Sequence, residues 1–318
     1  MTIKTFPETE PAAVAAAGTG ALRRTKKRLS SPGATIAAIV IAAVWTLPTF
    51  GLFVSSFRPA ADINTSGWWT AFVDPHFTLD NYVDTLSFND TVTVAQSLLN
   101  SLTITLPATI IPIAIAALAA YAFAWIDFRG RDTLFLGVFA LQIVPIQMAL
   151  VPLLSLYANG LKIGDLQIFP GLGISAANAN FAEVWISHAI FALPLAIFIL
   201  HNAVSALPTE LMEAARMDGA GHGQIFFRIV LPLAMPAIAS FAIFQFLWVW
   251  NDLLVATIFT SGRNAPVTKI LVDLSGVHGQ EWYLLTAGTF LAIIVPLIVF
   301  FALQRFFVRG LLAGATKG

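Results

Sequence analysis

Glu213-Ala214-Ala215-Arg216-Met217-Asp218-Gly219-Ala220, followed by Ile229-Val230-Leu231-Pro232 with nine residues between Gly219 and Ile229, is a polar interruption between two long apolar segments. Pro208 suits a first helical turn, and Glu210 in that turn complements the helix dipole. A helix over Pro208–Met217 places Leu211, Met212 and Ala215 on one side. Asp218-Gly219-Ala220-Gly221 breaks it, since glycine takes a positive φ without a Cβ penalty. A second short helix from about Gly223 carries Ile225, Phe226 and Ile229 as an apolar stripe, and Pro232 and Pro236 set the entry into the next apolar segment. Small Ala214, Ala215 and Gly219 allow a partner surface to come close. On residues alone the hairpin is either a docking element or an amphipathic loop lying on lipid.

The surroundings are membrane. The chain is 58% hydrophobic and 11% charged, with mean hydropathy +0.81, whereas soluble domains are about half apolar and a quarter charged. Formal net charge is zero, which gives no reason to expect nucleic acid as a partner. There is no cysteine, so disulfides and thiolate metal sites are excluded. Stretches near Thr35–Phe57, Asn100–Ile126, Thr133–Leu156, Ala182–Ala203, Pro236–Phe259 and Leu284–Phe307 are long enough to cross a bilayer. The expected fold is an all-α membrane protein of six transmembrane helices over 35–307. The first span is too long for a signal-peptide core and no small-residue cleavage site follows it.

Lys and Arg give the orientation. Arg23, Arg24, Lys26, Lys27 and Arg28 precede the first span. Arg129 and Arg131 follow the second, Arg216 and Arg228 lie in the 206–235 loop, and Arg305, Arg309 and Lys317 close the chain. The alternate loops carry Arg58, Lys162, Arg263 and Lys269 and are richer in acids. Both termini and the Glu213 loop are therefore expected in the cytoplasm. Residues 1–34 read as a basic, disordered tail touching anionic lipid, and 308–318 as a second cytoplasmic tail. Trp68, Trp69, Phe72, Phe77 and Tyr82 in the first outer loop suit the interface belt; sugar binding is the sharper alternative.

Asn251 and Asp252 fall within the fifth expected span, where a charge is costly and marks a functional site. They line a path or gate, or form a polar clamp to a partner subunit. Trp248 and Trp250 either stack on a sugar or pack. Gln142 and Gln147 flank Pro145, and a proline-broken helix can expose backbone groups to a cavity. Glu183 reads as an interface residue at the start of the fourth span. The histidines show no metal-ligand spacing, and no H-E-x-x-H occurs.

The interruption resembles the EAA motif of permease subunits from bacterial binding-protein-dependent ABC importers. Every defined position is matched, by Glu213, Ala214, Ala215, Gly219, Ile229, Leu231 and Pro232, and the local form with Asp218 is similar to the carbohydrate branch. Asn100-Ser101-Leu102, Ala120-Tyr121-Ala122-Phe123-Ala124, Trp250-Asn251-Asp252 and the ending Gly310–Gly318 extend the likeness, toward the second, MalG-like permease of maltose-type importers. The resemblance implies a type I ABC importer permease fold and a subunit that is not an enzyme. It implies that Glu213, Ala214, Ala215, Asp218, Gly219, Ile229, Leu231 and Pro232 form a coupling helix that docks on an ATPase dimer. The partners implied are a second, MalF-like permease and an extracytoplasmic sugar-binding protein, met by the outer loop 261–282, while Gly310–Gly318 touches the ATPase interface. The chain has no G-x-x-x-x-G-K-[ST] phosphate loop, so it binds no cofactor itself, and ATP and Mg belong to the partner ATPase. The implied cargo is a di- or oligosaccharide, an α-glucoside such as maltose or trehalose, crossing the bacterial inner membrane past Trp248, Asn251, Asp252 and Gln147. A stand-alone secondary transporter would favour inverted repeats and intramembrane ion pairs, and no convincing repeat is found. An intramembrane enzyme would need catalytic spacing, which is missing.

Overall fold

A computed structural model describes residues 32–88, 92–171, 181–260, 262–275 and 281–315, with backbone alone for 305–315. The basic tail therefore lies, up to residue 31, outside the described residues. Helix α1 (Pro32–Ser56) leads into two short helices, α2 (Ala60–Thr65) and α3 (Asp80–Ser87), with a 3-10 turn at Trp68–Phe72 between them. Then come α4 (Val94–Trp125), α5 (Arg131–Ala140), α6 (Ile146–Asn159) and a small antiparallel ribbon, β1 (Gly160–Ile163) with β2 (Leu166–Pro170). Helices α7 (Phe181–Ser205) and α8 (Thr209–Met217) precede the long α9 (His222–Trp250). Helices α10 (Leu254–Phe259), α11 (Val267–Leu274) and α12 (Trp282–Ala315) complete the chain.

Helices α1, α4, α7, α9 and α12 are each long and apolar enough to cross a membrane, and a sixth crossing is available if the bent third segment counts as one. That segment is bent by 102° between Arg131–Ile143 and Ile146–Asn159. Pro145 is the cause: it pushes Val144 to ψ 118° and itself adopts ψ 131°, because the proline ring disfavours α geometry in the residue before it. The continuous third span expected over Thr133–Leu156 is thus two helices. The fifth span also differs. Its helix starts at His222 rather than Pro236 and stops at Trp250, with the separate α10 beyond. The last helix runs unbroken to Ala315, so 308–315 is not a separate tail.

Prolines pervade the spans, and each frees the carbonyl four residues earlier in its own helix. In lipid such a carbonyl needs another donor. Pro107 and Pro112 lie in α4. The Trp185 indole of α7 donates to the Thr103 carbonyl at 2.8 Å, and the Gln245 amide of α9 to the Ala108 carbonyl at 3.2 Å. Pro296 lies in α12, and Trp250 of α9 donates to the Ala292 carbonyl at 3.1 Å. In all three cases a neighbouring helix repairs the ladder. Between α4 and α7, Ala116, Ala120, Ala192 and Ala196 are fully buried, a small-residue pattern that lets the two backbones approach.

Around the first loop, Trp68 seats on α1 at Gly51, where a Cβ would come within 2.6 Å of the indole. Trp69, Phe72 and Phe77 stay exposed. Arg58 is buried, its guanidinium donating to the carbonyls of Asp62 and Ser66 and to the hydroxyls of Ser66 and Thr70. Glu183, expected at an interface, is buried at 2% exposure. It sits in the first turn of α7, where Tyr157 of α6 bonds Ser187 at 3.2 Å and Ser187 donates back to the Glu183 carbonyl.

Gln245→Leu should lower stability by about 1 kcal/mol, the scale of interhelical side-chain bonds in membranes, read as a lower thermal midpoint in detergent. Pro112→Ala restores the missing N–H and should cancel most of that loss in the double variant. An undiminished loss would show that Gln245 does not serve this carbonyl.

Candidate functional site

The polar interruption folds as a tight helical hairpin. Pro208 caps α8 and Asp218 ends it. Gly219 takes φ 81°. The Ala220 N–H then reaches the Ala215 carbonyl at 2.9 Å and the Gly219 N–H the Arg216 carbonyl at 3.0 Å. This is the Schellman closure, with glycine at the left-handed position. Gly221 starts the next helix, its N–H donating to Gln224 Oε1 at 3.1 Å.

The hairpin has two faces. Met212, Ala215, Ile225, Phe226 and Val230 are buried against Tyr121 and Phe123 of α4 and Leu200 and Val204 of α7. Glu213, Ala214, Asp218, Gly219 and Pro232 are exposed, with Ile229 and Leu231 half-buried. Ala215, expected to admit a partner, instead packs inside the chain, because it shares the inward side of α8 with Met212. Leu211, expected on that side, is 43% exposed. Two polar ties fasten the hairpin to the last turns of α4. The Tyr121 hydroxyl and His222 Nδ1 lie 2.9 Å apart, and Arg216 Nη2 donates to the Trp125 carbonyl at 3.2 Å.

Within α9, residues Phe226–Val230 form a π segment, and the Leu231 N–H bonds the Phe226 carbonyl. Pro232 explains it. The ring has no N–H for the Arg228 carbonyl and crowds it, so the ladder widens by one residue just upstream. Pro232 and Pro236 therefore sit inside a continuous helix, and the expected separation between a short second helix and the fifth span is absent.

At the other end of α9 the structure separates the expected path residues. Asn251 and Asp252 are not mid-span. They close α9 and open α10: Asn251 Nδ2 donates to the Leu247 carbonyl, and the Asp252 carboxylate accepts from the N–H groups of Val255 and Ala256. Such side chains satisfy helix ends better than they continue a helix. Asp252 lies 3.7 Å from His188 Nε2 of α7, both largely buried, and Thr268 donates to the Asp252 carbonyl at 2.8 Å. Trp250 is buried and stacked on Phe246. Trp248 is 42% exposed and lines a cleft of about 430 Å³ with Gln142, Pro145, Ile190 and Pro194. Gln147 is exposed but is not among the residues lining that cleft. His188 and His222 could not be singled out in sequence, since their partners lie on other helices. Among the described residues no group of His, Cys, Asp and Glu side chains could hold a metal ion.

A bundle of proline-interrupted helices long and apolar enough to cross a bilayer, with a polar hairpin packed on it, is the architecture of a multi-pass membrane protein. Residues 112–313 match the family described as "Binding-protein-dependent transport system inner membrane component", and the chain belongs to that family. It is 52% identical over 288 residues to the osmoprotective compounds uptake permease protein GgtD of Synechocystis sp., covering 89% of this chain and 91% of that one. It is also 52% identical over 253 residues to the alpha-glucoside transport system permease protein AglG of Rhizobium meliloti, covering 79% of this chain and 63% of AglG, less than two thirds of that relative's length. To the trehalose/maltose transport system permease protein MalG of Thermococcus litoralis it is 32% identical over 285 residues, 89% of this chain and 95% of that one. The crystal structure of a bacterial ABC transporter involved in alginate import superposes with TM-score 0.66 at 17% identity, covering 95% of this chain and all of that one. The fold is that of a type I ABC importer permease.

Gly219→Ala forces a Cβ into the left-handed region at a cost of about 1–2 kcal/mol, although nothing in the chain lies within 4 Å of that Cβ. Hydrogen exchange of the Ala220 amide should speed by about tenfold. Unchanged exchange would show that the closure does not depend on glycine.

Proposed function

We propose that this chain is the permease subunit of an ATP-driven sugar importer, forming half of the translocation path for an α-glucoside such as maltose or trehalose. The observation that carries the reading is the two-faced hairpin: its inner face is fastened to α4 and α7, and its outer face offers Glu213, Ala214, Asp218 and Gly219. In this reading that outer face docks on a separate ATPase dimer, which supplies ATP and Mg chemistry. Ala215, Ile229 and Leu231 shape the element from behind, and Pro232 from its exposed side. A second, MalF-like permease completes the path, and an extracytoplasmic sugar-binding protein delivers cargo near 261–282. Both termini and the hairpin face the cytoplasm, on the support of the Lys and Arg asymmetry. Trp248, with Gln147 beyond the break and Asn251 at the end of α9, offers aromatic and polar groups to the path, while Asp252 acts as an internal clamp. The sugar class is supported by the names of AglG and MalG. The name of GgtD, equally similar, favours a second reading in which the cargo is another small polar osmoprotective solute.

Proteoliposomes holding the full complex should accumulate maltose or trehalose only with internal ATP and the binding protein outside. Uptake by this chain without any ATPase subunit would sink the reading, and uptake of osmoprotective solutes alone would select the second one. Gly219→Asp should leave the protein inserted while weakening ATPase co-purification, because charge and bulk enter the exposed turn; normal ATP-driven uptake by that variant would contradict the assignment. Trp248→Ala should raise the KM for sugar by about tenfold, a loss of roughly 1–1.5 kcal/mol of ring contact, with kcat little changed. An unaltered KM would remove Trp248 from the path.

A further inference from the structure

The second span has a distinct contact at each of its ends. At one, Tyr121 and the Trp125 carbonyl hold the hairpin through His222 and Arg216. At the other, Asn100 Nδ2 donates to the carbonyls of Arg263 and Ala265 at 2.7 and 3.0 Å. Next to it Ser101 Oγ accepts the Val267 N–H at 2.8 Å. Asn100 and Ser101 are buried, as are Val267, Ile270 and Leu274 of the segment they hold. From Asn100 to Trp125, within the one continuous helix α4, the two contacts stand about 38 Å apart at ~1.5 Å per residue. The weak points of α4, the breaks at Pro107 and Pro112, are bridged to α7 and α9 by Trp185 and Gln245. By contrast α9, which also leaves the hairpin, carries the π segment Phe226–Val230 directly after its first turn, and a widened ladder of this kind is a place where helices kink.

We propose that α4, rather than the start of α9, is the stiff member that carries displacement between the hairpin and the 262–275 segment. In this arrangement the Tyr121–His222 and Asn100–Arg263/Ala265 contacts are its two fastenings. The proposal rests on the reading of the hairpin as the ATPase docking element, and deepens it. Tyr121 and Asn100 are positioning residues: neither faces the exposed side of the hairpin, and neither lines the Trp248 cleft. A push at the hairpin without the tyrosine fastening is taken up in the π segment. With it, α4 moves as one piece and shifts the segment that Asn100 grips. The same rod works in reverse, passing the arrival of a binding protein at the far end to the ATPase.

The test uses the full complex in proteoliposomes, with the binding protein loaded with maltose or trehalose, whichever shifts its melting temperature more. Tyr121→Phe removes one hydroxyl, and Asn100→Ala one amide. Tyr121→Phe should cut the stimulation of ATP hydrolysis by loaded binding protein by about fivefold, the factor for one ordinary hydrogen bond, and Asn100→Ala, which loses two, by about 25-fold. ATPase co-purification and unstimulated hydrolysis should stay at the wild-type level. His222→Gln, which keeps a partner for the tyrosine, should restore part of what His222→Leu loses, and Tyr121→Phe with His222→Leu should be no worse than either alone. Full stimulation in both Tyr121→Phe and Asn100→Ala overturns the proposal. So does loss of co-purification in Tyr121→Phe, which would make the contact part of docking. Failure of the unmodified chain to hold any ATPase would instead overturn the docking reading beneath it.

Discussion

A carbonyl freed by proline inside an apolar helix has no water to turn to, and much of this bundle is arranged around meeting that need. Pro107, Pro112 and Pro296 each release one such group, and each is met by a side chain from a different helix: Trp185, Gln245 and Trp250. These contacts fix more than their own energy of about 1 kcal/mol each suggests. A carbonyl sits at one height and one angle on its helix, so the donor's helix is held in register both along and around the axis. Apolar packing alone is permissive about both in a lipid-like surrounding. Between α4 and α7 the fully buried alanines let the two backbones approach, and the Trp185 bond joins the same two helices.

Much of this architecture is legible in the sequence, for physical reasons. Length and hydropathy reveal spans because a bilayer demands about 20 apolar residues of a helix. The glycine turn is legible because only a positive φ closes α8 in so few residues, and Gly219 has it. Segment ends are less so. Asn251 and Asp252 look like costly polar groups inside a span when read by hydropathy; they are a helix stop and a helix start, and nothing in an apolar average distinguishes the two. The bend at Pro145 falls in the same class, since proline inside a membrane helix either kinks it or breaks it, and the neighbours decide. The buried pairings, Tyr121 with His222 and His188 with Asp252, join residues far apart in the chain and leave no local trace.

The hairpin's recognised pattern mixes two kinds of residue. Glu213, Ala214, Asp218 and Gly219 face outward, while Ala215 is buried and Ile229 and Leu231 are half-buried against the bundle. A motif of this sort records the exposed face together with the seat behind it. Without the seat, an exposed helix of nine residues would be too short to hold its shape, since isolated helices below about 12–15 residues are marginal. The fragments Asn100-Ser101 and Ala120–Ala124, which mark kinship in the sequence, prove in three dimensions to be the grips at the two ends of α4.

The π segment at Phe226–Val230 acts as a phase setter. One additional residue in a helix turns everything beyond it by about 100°, so the azimuth of Trp248 relative to the exposed face of the hairpin depends on the residue count between Gly219 and Pro232. A single deletion there would remove one side chain and barely alter the hydropathy, yet present a different side of α9 to the cleft. Spacing within this stretch is thus as much a part of the molecule's chemistry as the identities of the residues that fill it.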